Sequence, residues 1–553
     1  MTRRDLLRGA CAVPLAVSAA ATRRPNVVLL VSDDQGFGDL SLHGNPTLNT
    51  PNLDRIAQEG VEFTQFHVNP VCSPTRASLL TGRYCYRTGV VDTYLGRSMM
   101  YNDEITLAEV LRASGYTTGI FGKWHLGDHY PMRPTEHGFE ECLVHQGGGI
   151  SQPSDPPEGN SYFNPRLTHN NEPEQRAGYC TDVFFDAAMQ FIEANRDRPF
   201  FAYVATNAPH VPLQVEESFV KPFREAGVDE TTARTYGMVA NLDQNVGRLL
   251  AHLAKLDLEQ DTILVYLSDN GPTPARFNAG MRGIKGTVYE GGIRVPFFLR
   301  WPRTVPPGRK VDRIAGHIDL FPTLIEACEA RPPADRKIDG MSLLPLIRSH
   351  AAQKTWPERT LFFQWHRGDR PEPFKNSAAL TGRYKLVDGR ELYDLKDDPA
   401  ESRDISAARP EIVARLREQY SRWFEDVTAS RRFEMPRIYI GTPFENPVLL
   451  TRQDWRGPLA TWEPGGLGFW DVDVRSRGSY ECTLLFPPAA VAGEVRVSLG
   501  GANVTAPIKQ GASSARLSLG NLPRGPVRIE AALITNGPPV GPHYVSVRKL
   551  PDA

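Results

Sequence analysis

Cys72 stands near the head of Val71-Cys72-Ser73-Pro74-Thr75-Arg76-Ala77-Ser78-Leu79-Leu80-Thr81-Gly82-Arg83. Ser73 is a favourable N-cap, Pro74 fits the first helical position, and Gly82 suits the stop of a short helix. The thiol is therefore expected just ahead of a helix N-terminus, where unsatisfied N–H groups and the helix dipole favour an anion. Arg76 falls in the first turn, where a cation is mildly unfavourable for the helix; an anion at position 72 accounts for it. Two other segments share one design, an apolar run followed by Ser32-Asp33-Asp34 or Ser268-Asp269-Asn270 with a glycine close behind. Either alone is an ordinary turn. Brought together, three carboxylates and an amide oxygen make a hard-oxygen site, suited to Ca²⁺ with ~6–8 oxygen ligands rather than to zinc. Lys123 and His125 are two apart, so an extended backbone points both to one side.

The elements that must position these groups alternate between strand and helix. Asn26 to Val31 is apolar and rich in β-branched residues, as in a strand buried on both faces. Thr117 to Phe121, Pro199 to Thr206, Thr262 to Leu267 and Arg294 to Arg300 read as further strands. Helices are expected from around Thr50-Pro51-Asn52-Leu53-Asp54 to Glu59 and over Leu107 to Ser114, Thr181 to Asn195, Ala233 to Leu256 and Ile318 to Cys328. This alternation predicts an α/β fold with a mostly parallel sheet, whose ligands sit outside the carboxyl ends of the strands. Residues 128–178, rich in Pro, Gly, Asn and Asp, read as a long loop region over the site.

From about Arg331 the pattern shortens to small antiparallel strands at Leu361-Phe362-Phe363, Ala378 to Thr381, Tyr384 to Val387 and Glu391-Leu392-Tyr393, closed by a helix from Glu411 to Phe424. After about Ser430, short runs between Gly/Pro turns predict a β-sandwich. Trp455, Trp462 and Trp470 are its candidate aromatic platform, with burial in the core as the plain alternative. The expected segments are thus 1–22, 23–330, 331–430 and 431–553. Residues 1–22, with Thr2-Arg3-Arg4-Asp5-Leu6-Leu7-Arg8 and an apolar run, resemble a twin-arginine export signal and imply a periplasmic or secreted protein. No other stretch is long and apolar enough to span a bilayer, so no membrane attachment is expected after cleavage. A formal net charge of -1 on 553 residues gives no field for nucleic acid. Of the seven cysteines, Cys85, Cys142, Cys180, Cys328 and Cys482 show no zinc spacing and read mostly as buried thiols.

Cys-Ser-Pro-Thr-Arg followed by Ala-Ser-Leu-Leu-Thr-Gly-Arg resembles, without a gap, the signature of the type I, formylglycine-dependent sulfatases. Gly115 to His125 resembles their second signature. His210 in Ala-Pro-His and Lys285 in Arg-Gly-Ile-Lys-Gly match further positions. The resemblance implies an alkaline-phosphatase-like α/β fold: a mostly parallel central sheet flanked by helices, with a small antiparallel subdomain. It implies a sulfatase acting on organic sulfate esters, carbohydrate sulfates above all, with aryl sulfates as model substrates. Cys72 would be converted to formylglycine by a separate maturation enzyme. Asp33, Asp34, Asp269 and Asn270, with the modified Cys72 or bound sulfate, would ligate the metal, Ca²⁺ in preference to Mg²⁺. Asp269 would assist attack by the aldehyde hydrate, Arg76 and Lys123 would hold the hydrate, and Lys123, His210 and Lys285 the sulfonyl oxygens. His210 would protonate the leaving alcohol, and His125 would help expel sulfate. His43, His67, His129, His137, His145 and His317 lack such support and read as structural. The alternatives are a phosphonate or phosphate ester hydrolase of the same superfamily, or a catalytically silent glycan-binding protein.

Overall fold

The structure, a computed structural model, describes residues 24–429, 431 and 433–551. The export signal read at 1–22 lies outside the described residues. A ten-stranded mixed sheet forms the core of the fold. Its order is Arg309–Val311, Val61–Phe63, Phe297–Arg300, Thr262–Ser268, Asn26–Ser32, Phe200–Ala205, Thr117–Lys123, Glu141–His145, Arg166–His169 and Glu172–Gln175. The four strands from Thr262–Ser268 to Thr117–Lys123, together with Glu141–His145, run parallel. The Phe297–Arg300 strand is antiparallel to its neighbours and shorter than the expected Arg294 to Arg300.

Alternation along the central strand explains the layering. Val27, Leu29 and Val31 face one core with the helices Cys72–Thr81, Leu107–Ala113 and Leu320–Ala327. Val28 and Leu30 face a second core with Pro51–Gln58, Cys180–Ala194 and Glu230–Lys255. A strand clad on both faces has no polar side, which is why its sequence runs apolar without a break. At ~1.5–3 kcal/mol for each buried aliphatic side chain, this double core makes a rigid platform for whatever stands at the strand ends.

Residues 128–178 are not loop throughout. Glu141–His145 joins the sheet in parallel, and Arg166–His169 and Glu172–Gln175 extend it as an antiparallel hairpin. Asn170 and Asn171, both in the left-handed region (φ 49° and 75°), make the two-residue turn. Burial along Glu172–Gln175 is slight, so no apolar alternation marked that strand.

A four-stranded antiparallel sheet follows, Leu361–Gln364, Ser377–Leu380, Tyr384–Val387 and Glu391–Asp394, with the helix Pro410–Thr428 sharing its core. Buried polar contacts tie it to the two-stranded sheet of Phe66–His67 and Ala315–Gly316. Lys385 Nζ reaches Glu290 at 3.1 Å and Glu401 at 2.8 Å, and Glu290 meets His67 at 3.2 Å. Beyond residue 437 two sheets face each other, six-stranded and four-stranded, around a core holding Trp455 and Trp470. The strand Leu467–Val474 alternates strictly between buried and half-buried residues, as a sandwich strand should. That core is continuous with Leu95, Met99 and Met132 of the first half of the chain. The six cysteines among the described residues are buried free thiols. No helix among the described residues is long and apolar enough to cross a membrane.

Candidate active site

Four neighbouring parallel strands end on one side of the sheet, in register. Ser32 pairs with Ser268, and Ala205 pairs with both Val31 and Gly122. The next residues are therefore neighbours: Asp33 and Asp34 after one strand, Asp269 and Asn270 after the second, His210 beyond the third, and Lys123 with His125 at the end of the fourth. Asp34 and His125 stand on left-handed backbone (φ 65° and 59°). Such non-glycine strain costs ~1–3 kcal/mol and gathers at functional sites.

The helix Cys72–Thr81 is buried along its whole length and aims its N-terminus at these tips. It begins two residues earlier than the sequence implied. Val71 is the N-cap, and Ser73 Oγ, buried, makes no capping bond. Pro74 sits at the third helical position, where its missing N–H still costs nothing because the first four have no intrahelical partner. Cys72 is therefore itself the first helical residue, and Arg76, one turn on, lies on the same face. Gly82 ends the helix in the left-handed conformation, its N–H bonding Ser78 O.

Arg76 donates to Asp269 Oδ2 from Nη2 (2.7 Å) and Nε (3.0 Å), and to the carbonyl of Lys123 from Nη1 (3.0 Å). Lys123 Nζ meets Asp33 Oδ2 at 2.6 Å, and Lys285 Nζ bonds Asp34 Oδ1. Arg76, Lys123, Asp33, Asp34 and Asp269 are fully buried. Three cations thus match three carboxylates one to one. Burial opposes the charged form of Asp34, yet Lys285 and His210 overcome it and hold that carboxyl well below the usual range. Burial and the neighbouring Asp33 push Asp269 up to about 6 despite Arg76. Burial also pushes the Cys72 thiol up, against Lys123 and Lys285.

Each histidine is fixed as one tautomer by a backbone carbonyl. His125 Nε2–H donates to Thr93 O (2.7 Å), which leaves Nδ1 buried and unpartnered. His210 Nδ1–H donates to Val211 O (2.7 Å) and turns Nε2 to within 3.8 Å of Asp34 Oδ2. Burial, then Lys123, holds His125 well below its ordinary value, and burial takes His210 down to about 4. Both rings are neutral bases at rest.

The pocket fits a divalent cation. Asp33 Oδ1, Asp34 Oδ2 and Asn270 Oδ1 are buried without any hydrogen-bond partner, and such orphans cost ~1–3 kcal/mol each unless something else meets them. Asp33, Asp34 and His210 offer ligand atoms within 4.8 Å of one another. Asp269 stands at the same tips, with Oδ1 taking a 3.3 Å bond from Asp34 N–H and Oδ2 held by Arg76.

A cleft of about 560 Å³ opens over this floor. Cys72, His125, His210 and Lys285 line its base, and the buried Asp33, Asp34, Arg76, Lys123, Asp269 and Asn270 are joined to them or to one another by the contacts above. Its walls hold residues that sequence reasoning did not reach: Tyr94, Gly148, Gln152, Trp365 and Arg367. The Gly147-Gly148-Gly149 run was a readable signal for a close approach. A Cβ on Gly148 would stand 2.7 Å from His125 Cε1, and one on Gly149 2.9 Å from His210 Cε1. Trp462 also lines the cleft, whereas Trp455 and Trp470 are core residues. His145, read as structural, is buried with an unpartnered Nε2, and burial, with the nearby charges of Lys123 and Arg76, lowers its pKa to about 3.

Residues 25–330 match the family described as Sulfatase, and residues 284–425 match that described as N-sulphoglucosamine sulphohydrolase, C-terminal. Human arylsulfatase A is 33% identical over 72% of this chain and 82% of its own length. Mouse N-acetylgalactosamine-6-sulfatase is 35% identical over 60% and 68%. Among solved structures, that of Ps i-CgsB in complex with k-i-k-neocarrahexaose superposes with a TM-score of 0.66 at 27% identity, covering 74% of this chain and 94% of that one.

Proposed function

Because the chain belongs to the sulfatase family of the alkaline phosphatase superfamily, whose members are sulfuric ester hydrolases, we propose that it desulfates carbohydrates through a formylglycine made from Cys72. A separate maturation enzyme would oxidise the thiol, and Asp33, Asp34, Asp269 and Asn270 would hold Ca²⁺ beside it. The observation that carries this reading is one cleft whose base combines Cys72, three partnerless oxygens, two lysines, an arginine and two neutral imidazoles. The carbohydrate preference draws support from a relative named N-acetylgalactosamine-6-sulfatase and from a structural neighbour solved in complex with k-i-k-neocarrahexaose.

Hydrated, the aldehyde supplies one hydroxyl to attack sulfur and a second that later lets sulfate leave. Bound, the cation supplies positive charge against the sulfonyl oxygens. Asp269 takes the proton of the attacking hydroxyl, its carboxylate held in one orientation by Arg76. Arg76 fixes Asp269 with two N–H bonds and fixes the backbone of Lys123 with a third. Lys123 and Lys285 gather the sulfonyl oxygens where charge builds in the transition state. His210 rests neutral with Nε2 bare, so it takes up a proton from solvent as the anionic sulfate ester binds and then passes it from Nε2 to the leaving alcohol oxygen. His125 accepts the proton of the second hydroxyl on its bare Nδ1. In the same proposal, residues 1–22 export the chain to the periplasm or beyond, 23–330 and 331–430 make the sulfatase unit, and 431–553 is an accessory β unit.

Mass spectrometry of the peptide containing Cys72 tests the nucleophile, with aldehyde expected in place of thiol. Turnover of 4-nitrophenyl sulfate well above that of a matched aryl phosphonate is expected; the reverse order would point to phosphonate hydrolysis. Gly148→Ala tests the seating of His125. The added methyl cannot stand 2.7 Å from the ring, so the imidazole must move. Misplacement of about 1 Å costs ~10²-fold in rate. The kcat on 4-nitrophenyl sulfate should fall by that order, while KM changes little.

A further inference from the structure

We propose that Tyr94, Trp365, Arg367 and Trp462 form a saccharide subsite that takes the sugar residue glycosidically linked to the sulfated one. The proposal rests on the carbohydrate-sulfatase reading and adds to it a second binding position, supplied in part by the accessory β unit.

The four side chains come from three separate parts of the fold and line the same cleft as Cys72 and Lys285. Trp365 reaches the sulfate end directly. A Cβ on Gly286, the residue after Lys285, would stand 3.1 Å from its ring, so the indole lies against that backbone. Trp462 extends the wall from the β unit, meeting Tyr94 edge to face with ring centres 5.1 Å apart. Arg367 bridges the two ends, its guanidinium 4.3 Å from the Tyr94 ring centre and 5.0 Å from that of Trp365.

These groups are held rather than free. Asp92, fully buried, accepts from Trp365 Nε1 (2.9 Å) and Arg367 Nη1 (2.8 Å) through one oxygen. Trp462 Nε1 donates to Arg452 O at 3.2 Å. Arg367 remains 54% exposed in its side chain. Its guanidinium has five N–H donors in a fixed fork, more than Asp92 and Thr93 occupy. An aromatic wall beside a guanidinium of fixed orientation suits a sugar ring, whose C–H face packs on the indole while hydroxyl or carboxylate oxygens accept from the fork. A small aryl sulfate is expected to end at the Trp365 side of this wall, short of Trp462.

The test uses the matured full-length enzyme and a panel of size-defined sulfated oligosaccharides from chondroitin sulfate, heparan sulfate and carrageenan, with 4-nitrophenyl sulfate as the small substrate. For the oligosaccharide desulfated fastest, Trp462→Ala is expected to raise KM at least tenfold and leave kcat within about twofold. Its kcat/KM for 4-nitrophenyl sulfate should stay within about twofold of wild type. Arg367→Gln, in the loop between Leu361–Gln364 and Ser377–Leu380 and so outside the β unit, should give the same split and covers the case in which the tryptophan variant does not fold. Equal losses on both substrates, or no loss on either, overturn the subsite. So does an enzyme that turns over 4-nitrophenyl sulfate and no oligosaccharide, which leaves the sulfatase activity intact. Failure on every sulfate ester would instead overturn the underlying reading.

Discussion

Cys72→Ser should release at most one equivalent of alcohol per enzyme and then stop. The serine hydroxyl occupies the first helical position, beside the same lysines, and can still attack sulfur. The S–O bond to the leaving alcohol breaks, and the alcohol departs with the proton carried by His210. What remains is a serine sulfate ester. It has no second hydroxyl on the same carbon, so His125 has no proton to remove and no carbonyl can form as sulfate leaves. Sustained turnover should drop by roughly 10⁴-fold or more, about 5 kcal/mol in barrier. A rapid-quench time course on 4-nitrophenyl sulfate gives the burst, and mass spectrometry gives the sulfated serine peptide. Continuous turnover by the variant, with unmodified serine in the peptide, would refute the two-hydroxyl mechanism.

Removal of the metal has the other large effect. Dialysis against EGTA should abolish turnover and lower the melting temperature by several degrees, and Ca²⁺ should restore both more fully than Mg²⁺. The ion pairs Arg76–Asp269, Lys123–Asp33 and Lys285–Asp34 already balance the three carboxylates in charge. Stripping the cation therefore does not leave a bare anionic pocket; it leaves three buried oxygens without partners. Binding at a hundred times Kd contributes about 2.7 kcal/mol to stability, which is the scale of the expected shift. Full activity in a preparation shown by elemental analysis to hold no divalent metal would overturn the assignment.

The chemistry at the strand tips was legible because it is local. An apolar run ending in Ser-Asp announces both a buried strand and a carboxylate at its carboxyl end, and parallel register does the rest. The helix at Cys72 was legible in kind but not in its first residue: Ser73 and Pro74 are good starting residues, yet burial of the whole helix overrode the local capping preference. Residues 141–175 hid three strands: Glu141–His145 is buried but short and set among loop-like residues, whereas Arg166–His169 and Glu172–Gln175 have too little burial to carry an apolar period; the Asn170-Asn171 turn was the one clue. The cleft walls were not legible at all. Arg367 and Trp365 have no neighbouring motif, and their importance lies in being folded back against Asp92, 275 and 273 residues earlier, and against Gly286. Trp462 could be named as a candidate beside Trp455 and Trp470, but only the packing separates the one that faces the cleft from the two that fill a core.

The carbonyl of Thr93 joins distant parts of the chain. It accepts the His125 Nε2–H, and it also accepts from Gln453 Nε2 of the accessory β unit at 3.0 Å. Gln453 is buried and bonds Ser98 Oγ as well, and its own carbonyl takes the N–H of Gly96. Thr93 and Gln453 are 360 residues apart, about 20–70 s of ribosomal elongation at roughly 5–20 residues per second. A nascent chain that has completed its sulfatase unit still lacks the strut behind its imidazole. Truncation before residue 453 would thus yield a protein competent to bind ester but with a poorly seated base, so the β unit cannot be trimmed away as a detachable tail.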